Sequence, residues 1–160
     1  IKLLGFTDAD WAGDCTDRRS TSGGAFFLGE GCVSWYSKKQ NSVTLSTAEA
    51  EYVAATHACT QMIWMQVQLA DLRIKAEKPL RILCDNQSAI GLSKNPIQHS
   101  RSKHIDIKYH FIKERVASGD INLDYISTQD QVADIFTKAM PTERFVELRL
   151  KLHVQPSPLT

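Results

Sequence analysis

The chain has 160 residues, the size of one domain built around a single hydrophobic core. Its 42% apolar and 23% charged residues are typical of a globular protein, and the absence of any run of about 18 apolar residues excludes a membrane-spanning helix. The net charge of +1 excludes a strongly basic surface, so any nucleic-acid binding would depend on a local patch. The four cysteines lack Cys-x-x-Cys spacing, which disfavours a zinc site and a disulfide scaffold.

Three consecutive strands are predicted in the first 40 residues. Segment 2–10 is short and β-compatible. Segments 23–28 and 32–37 are also strand-like, and the glycine-containing turn at residues 29–31 predicts that they form a hairpin. We therefore expect an antiparallel meander.

Helical periodicity begins at residue 46, where Ser46-Thr47-Ala48-Glu49 has the form of a capping box, and continues to about residue 72. A second capping box at residues 128–131 predicts a helix through about residue 138. The other predicted elements are a strand at 80–84, a short helix at 87–92, a helix at about 105–117, a strand at 121–126, and a last helix from Pro141 with Phe145, Leu148 and Leu152 as its apolar stripe.

This order of elements, β-β-β-α-β-α-α-β-α-α, predicts an α/β fold. The first, fourth and fifth strands are joined through helices, so we expect them to be parallel neighbours in a mixed five-stranded sheet with helices packed on it. We expect one domain over residues 1–154, a flexible tail over 155–160, and a longer parent polypeptide, because the sequence begins without Met. Trp35, Tyr36 and Trp64 are predicted to lie in the core.

Acidic residues lie at several positions where apolar residues are expected. Asp8 lies within the first apolar strand, Asp85 directly follows the fourth, and Asp134 lies in the hydrophobic part of its helix. At about 100° per residue, Glu51 falls on the buried face of the first helix, whereas Glu49 lies well over a right angle away. Because strands one and four are predicted neighbours, Asp8 and Asp85 should lie close together at the carboxyl end of the sheet.

Carboxylates crowded in this way repel one another unless a cation neutralises them. Oxygen-only ligands suit Mg²⁺ or Mn²⁺ rather than zinc, and two such ions about 4 Å apart are a known arrangement for displacement at phosphorus. Structural roles are the alternative, because Asp85 could cap the helix that follows it and Asp134 could be a solvated helix residue. Spacing alone leaves these alternatives open.

Seven segments that run in order from one end of the chain to the other carry a specific resemblance: 6–14 (FTDADWAGD), 19–24 (RSTSGG), 34–40 (SWYSKKQ), 46–52 (STAEAEY), 84–89 (CDNQSA), 103–111 (KHIDIKYHF) and 131–138 (QVADIFTK). With them the chain resembles the ribonuclease H domain of copia-type LTR-retrotransposon polyproteins. The resemblance implies a ribonuclease H fold in which Asp8, Glu51, Asp85 and Asp134 are the catalytic residues and bind two Mg²⁺ ions, which Mn²⁺ can replace.

The resemblance also implies a function, a partner and a location. The domain would follow the reverse transcriptase of the same polyprotein, hydrolyse the RNA strand of RNA–DNA hybrids, and act in the cytoplasm within a virus-like particle, away from membranes. One departure is the loop 127–130, which lacks the His that many cellular relatives carry before the last catalytic Asp. His104 or His110 could substitute for it, or both could be structural. A catalytically weak domain that binds or tethers the hybrid is therefore an alternative, and a transposase or integrase core acting on duplex DNA is a third.

Recognition of the hybrid should depend on backbone shape and RNA 2′-hydroxyl groups, because A-like grooves hide base identity. The run 98–104 is the best local basic patch for phosphates, with an ordinary solvated loop as its alternative. The predicted substrate-binding residues are Ser22, Gly23, Ser46, Thr47, Asn86, Gln87, Arg101, Lys103 and His104.

Overall fold

Five strands and four α-helices are present in the part of the chain that the computed structural model describes, which is residues 1–13, 16–94 and 103–155, without the side chains of residues 103–109. The strands are β1 (Leu3–Asp10), β2 (Thr21–Leu28), β3 (Gly31–Lys39), β4 (Leu80–Cys84) and β5 (Ile121–Tyr125). The helices are α1 (Thr47–Asp71), α2 (Gln87–Lys94), α3 (Lys103–Ala117) and α4 (Thr142–Lys151). Two 3-10 segments, Thr128–Asp130 and Val132–Phe136, lie between β5 and α4.

The strands form one mixed sheet in the order β3-β2-β1-β4-β5. β1 pairs antiparallel with β2, and β2 with β3, whereas the β1–β4 and β4–β5 pairs are parallel. The predicted α/β class and mixed five-stranded sheet are therefore confirmed. Because β1 and β4 are parallel neighbours, the end of β1 that carries Asp8 lies beside the end of β4 that Asp85 follows.

Helix α1 covers one face of the sheet. Ser46 caps its first turn by accepting a hydrogen bond from the Glu49 amide at 3.2 Å, as the capping-box pattern predicted. The Glu49 carboxylate accepts from the Leu45 amide at 2.6 Å, one residue further back than in a standard capping box. Glu51 lies among the buried residues of α1, next to the buried ring of Tyr52, as its helical angle predicted.

The hydrophobic core is divided between the two faces of the sheet. On the face covered by α1, Met62 packs in one cluster with Phe26 and Ile82. On the opposite face, Val132 of the second 3-10 segment packs with Phe6. Strands β1 and β2 therefore lie between two covering layers. Within the described ranges, none of the helices has both the length and the apolar character required to cross a membrane.

The segment from residue 128 to residue 138 is not the helix that the second capping-box pattern predicted. It forms two 3-10 segments separated by Gln131, whose backbone is extended (φ −72°, ψ 97°). Thr128, the expected N-cap, donates its hydroxyl hydrogen to Asp85 instead. The Gln131 side chain is fully buried and donates to the carbonyl of Thr7 in β1 at 2.9 Å. This long-range contact fixes Gln131 in a conformation that a continuous helix would not allow.

Two of the three aromatic residues assigned to the core lie at the surface. Trp35 is 62% exposed because side chains alternate between the two faces of the edge strand β3, and Trp35 lies on the face that is left uncovered. Trp64 is 55% exposed because it follows the buried Met62 by two positions and so lies about 200° around α1 from it. Tyr36 is partly buried, as predicted. Phe145 of the last apolar stripe is 43% exposed, so it does not contribute to the core.

Candidate active site

Acidic side chains from separate elements converge at the carboxyl edge of the sheet. Asp8 belongs to β1, Glu51 to α1 and Asp134 to the second 3-10 segment, whereas Asp85 directly follows β4. Asp8, Asp85 and Asp134 each offer a carboxylate oxygen to a group whose members all lie within 4.8 Å of one another. Glu51 and Asp85 form a second such group with the sulfur of Cys84. The two groups share Asp85, and we refer to the four carboxylates together as the acidic cluster.

Hydroxyl and ammonium groups orient the aspartates of the acidic cluster. Thr137 donates a hydrogen bond to Oδ2 of Asp8, and Thr128 donates to Oδ2 of Asp85 at 2.8 Å. The Nζ atom of Lys138 lies 3.1 Å from Oδ1 of Asp134 and 3.6 Å from Oδ2 of Asp8. These three partners all come from the segment after β5, so this segment orients the acidic side chains near the ends of β1 and β4.

The alternative role for Asp85, as the cap of α2, is filled by Asn86. The side-chain oxygen of Asn86 accepts a hydrogen bond from the Ala89 amide at 3.0 Å, and α2 begins at Gln87. Asp85 instead contributes its carboxylate to the acidic cluster. Because Asn86 caps α2, helix capping does not explain why an acidic residue follows β4.

Burial and mutual repulsion dominate the electrostatics of the acidic cluster. Burial, together with the charges of Asp8 and Asp85, raises the pKa of Glu51 to about 9. Burial and the charge of Asp8 raise the pKa of Asp134 to about 6, against the lowering effect of Lys138. Burial also raises the pKa of Asp85, although the hydrogen bond from Thr128 opposes this shift. The carboxylates therefore carry negative charge that the surrounding protein compensates only in part.

The donor chemistry of the acidic cluster fits a hard divalent cation. Its carboxylate oxygens are the ligands that Mg²⁺ and Mn²⁺ prefer, and a cation would relieve the repulsion between these buried, crowded groups. Cys84 does not alter this preference. Burial and the charge of Glu51 raise the pKa of its thiol well above the ordinary value, so the sulfur stays protonated and is a poor metal ligand.

The predicted substrate-binding residues differ in accessibility. Ser46, Thr47 and Gln87 are exposed and Asn86 is partly exposed, all at or next to the starts of α1 and α2. Ser22 and Gly23 are buried, contrary to what a direct substrate contact requires. The Ser22 hydroxyl oxygen accepts a hydrogen bond from the Gln40 side chain, and a Cβ atom on Gly23 would lie 2.7 Å from a methyl carbon of Thr137. Arg101 lies outside the described residues, as do the side chains of Lys103 and His104.

Sequence reasoning missed Gln131, Lys138 and the two threonines. Gln131 donates to the Thr7 carbonyl at 2.9 Å and accepts from the Ala133 amide at 3.2 Å, so it contacts the residues that precede Asp8 and Asp134. The sequence contained one signal for Gln131, which is a polar amide directly before the apolar pair Val132-Ala133. The position of Lys138 four residues after Asp134 was another such signal.

Similarity to known proteins extends over nearly the whole chain, although no protein-family model matches it. The chain is 46% identical over 143 residues to the retrovirus-related Pol polyprotein from transposon TNT 1-94 of Nicotiana tabacum. It is 42% identical over 158 residues to the corresponding polyprotein from transposon RE1 of Arabidopsis thaliana. These matches cover 89% and 99% of this chain, but only 11% of the length of each relative.

Solved structures with the same arrangement of elements are more distant in sequence. RNase H1 from the archaeon Halobacterium salinarum NRC-1 superposes with a TM-score of 0.57 at 13% identity, over 92% of this chain and 98% of that one. LC11-RNase H1, solved in complex with an RNA/DNA hybrid, superposes with a TM-score of 0.56 at 11% identity, over 85% of this chain and 94% of that one.

Proposed function

We propose that this chain, which has the ribonuclease H fold and is similar over nearly its whole length to one segment of the Pol polyproteins of plant transposons, hydrolyses the RNA strand of RNA–DNA hybrids. The convergence of Asp8, Glu51, Asp85 and Asp134 from four separate elements is the observation that carries this proposal. Further support comes from the raised pKa values of Glu51 and Asp134, because perturbed carboxylates in a shared site are typical of catalytic centres.

In this proposal the acidic cluster binds two Mg²⁺ ions, for which Mn²⁺ can substitute. When bound, the ions would supply positive charge beside the attacking water and beside the leaving 3′ oxygen of the scissile phosphodiester. The chain's own contribution is to orient the carboxylates. Thr137 and Thr128 each occupy one oxygen of an aspartate, which leaves the other oxygen of Asp8 and of Asp85 available to a ligand.

The accessible ends of α1 and α2 are the proposed contact surface for the hybrid. Ser46, Thr47, Asn86 and Gln87 present hydroxyl and amide groups next to the acidic cluster, and such groups can bind phosphates and 2′-hydroxyls without reading bases. The structural relative LC11-RNase H1 was solved with an RNA/DNA hybrid, which supports the same class of substrate here. We also propose that Arg101, Lys103 and His104 contact phosphates, and that Ser22 and Gly23 contribute only indirectly.

The wider context is proposed from the relatives. The chain would act as one domain, residues 1–154, with a tail at 155–160, beside the reverse transcriptase of the same Pol polyprotein. Its place of action would be the cytoplasm, within a virus-like particle. Degradation of the RNA template after first-strand synthesis is the step that such a domain would perform.

A cleavage assay tests the proposed function. A hybrid with labelled RNA is incubated with the wild-type protein over a range of Mg²⁺ concentrations, and we expect fragments ending in 3′-hydroxyl. Asp134→Asn and Asp85→Asn should abolish cleavage, whereas Asp71→Asn, at an exposed acid near the end of α1, should not. Circular dichroism checks that each variant is folded.

Three outcomes would contradict the proposal in different ways. Full activity of Asp134→Asn would remove the acidic cluster from the mechanism. Binding of the hybrid without cleavage at any Mg²⁺ concentration would favour a tethering domain. Cleavage of a DNA–DNA duplex in preference to the hybrid would favour a transposase or integrase core.

A further inference from the structure

Lys138 is a positively charged residue in direct contact with the acidic cluster. Its Nζ atom lies 3.1 Å from Oδ1 of Asp134 and 3.6 Å from Oδ2 of Asp8. The side chain is 38% exposed, whereas its two partners are almost fully buried. Lys138 therefore lies at the open side of the cluster, with its charge directed inward.

The ammonium group and a divalent ion are attracted to the same two carboxylates. Asp134 and Asp8 both belong to the group of carboxylates that is close enough to bind one ion. An ammonium group close to both carboxylates reduces the negative charge that an arriving cation meets. Coordination of a cation by Oδ1 of Asp134, the atom 3.1 Å from Nζ of Lys138, would also require the lysine to move away.

We propose that Lys138 is a built-in counter-ion that stabilises the metal-free acidic cluster and competes with divalent cations for it. The inference rests on the proposed function, because it assumes that the cluster binds metal. Lys138 thus acts as a positioning residue for the carboxylates in the metal-free protein.

The proposal predicts two effects of opposite sign for one substitution. Lys138→Met should lower the melting temperature in EDTA, because the carboxylates lose their counter-ion. The same variant should bind Mn²⁺ about three- to tenfold more tightly, because the competing ammonium group is gone. This factor corresponds to the free energy that a partly exposed ion pair contributes. Lys138→Arg keeps the charge and should remain close to the wild type in both measurements.

The experiment measures Mn²⁺ binding directly, from the electron paramagnetic resonance signal of the free ion, and thermal unfolding in EDTA. The matched control is Lys78→Met, which removes a lysine paired with Asp120 at 2.5 Å. Lys78 lies just before β4 begins, at the end of the strand opposite to Asp85. This control should lose stability without any gain in Mn²⁺ affinity.

Unchanged or weaker Mn²⁺ binding by Lys138→Met would overturn the proposal, as would an unchanged melting temperature in EDTA. A loss of both stability and affinity would assign Lys138 a purely structural role. The proposed function fails separately, if the wild-type protein itself binds no Mn²⁺.

Discussion

Gln131 connects three parts of the candidate active site, and its replacement should be costly. The side chain is fully buried. Its amide nitrogen donates to the carbonyls of Thr7 at 2.9 Å and Leu83 at 3.5 Å, and its oxygen accepts from the Ala133 amide at 3.2 Å. Gln131→Met keeps the length of the side chain but removes all three contacts. The carbonyl of Thr7 and the amide of Ala133 then lose a partner in a buried environment.

The expected loss follows from these two groups. Each buried polar group left without a partner costs about 1–3 kcal/mol, and the added apolar burial of methionine offsets part of this cost. We therefore expect Gln131→Met to lower the free energy of unfolding by about 2–4 kcal/mol. For a domain of this size, that corresponds to a fall of about 5–15 °C in melting temperature.

Urea denaturation followed by circular dichroism measures this difference. The matched control is Gln129→Met, the same substitution at an exposed position two residues earlier, which should change the free energy of unfolding by less than about 0.5 kcal/mol. If the two variants were equally stable, the hydrogen bonds of Gln131 would not be what joins the second 3-10 segment to the sheet.

Two further predictions concern pH and packing. In the metal-free protein, the pKa of Glu51 is raised from 4.5 to about 9 and that of Asp134 from 3.8 to about 6, so the folded state retains protons that the unfolded chain has released. The melting temperature in EDTA should therefore fall as the pH rises from about 5 to about 9, and Glu51→Gln should flatten this dependence. A melting temperature that rises over this pH range would contradict the prediction. Gly24→Ala should cost about 1–3 kcal/mol in urea denaturation, because its Cβ atom would lie 2.4 Å from a ring carbon of Tyr36. Gly31→Ala, whose added Cβ atom meets no atom within 4 Å, is the matched control and should be near neutral.

Local sequence patterns were sufficient for the strands and for the placement of three acids. Asp8 and Asp85 could be placed together because parallel strands joined by a helix bring their carboxyl ends to one edge. Glu51 could be separated from Glu49 because a helix has a fixed angle per residue, and only Glu51 of the two is buried in α1. These predictions needed only the angle per residue of a helix and the order in which strands and helices are connected.

The conformation around Asp134 could not be predicted in the same way. A capping-box pattern describes contacts between residues three positions apart, and here it competed with contacts across the fold. Thr128 donates to Asp85 and Gln131 donates to Thr7, partners 43 and 124 residues away in the chain. The prediction for Trp35 failed for a related reason, because its local sequence does not indicate which face of β3 the rest of the fold leaves uncovered.

The position of the acidic cluster follows from the two-sided architecture of the sheet. Glu51 is carried by α1, which packs on one face, and Asp134 by the 3-10 segment that packs on the other. Strands β1 and β4 separate these layers along most of their length, so the two acids can approach a common point only where the strands end. Asp8 and Asp85 lie at that edge of the sheet and complete the acidic cluster. An arrangement that buries several like charges lowers stability in the absence of a cation, which is the expected cost of a site shaped for binding one.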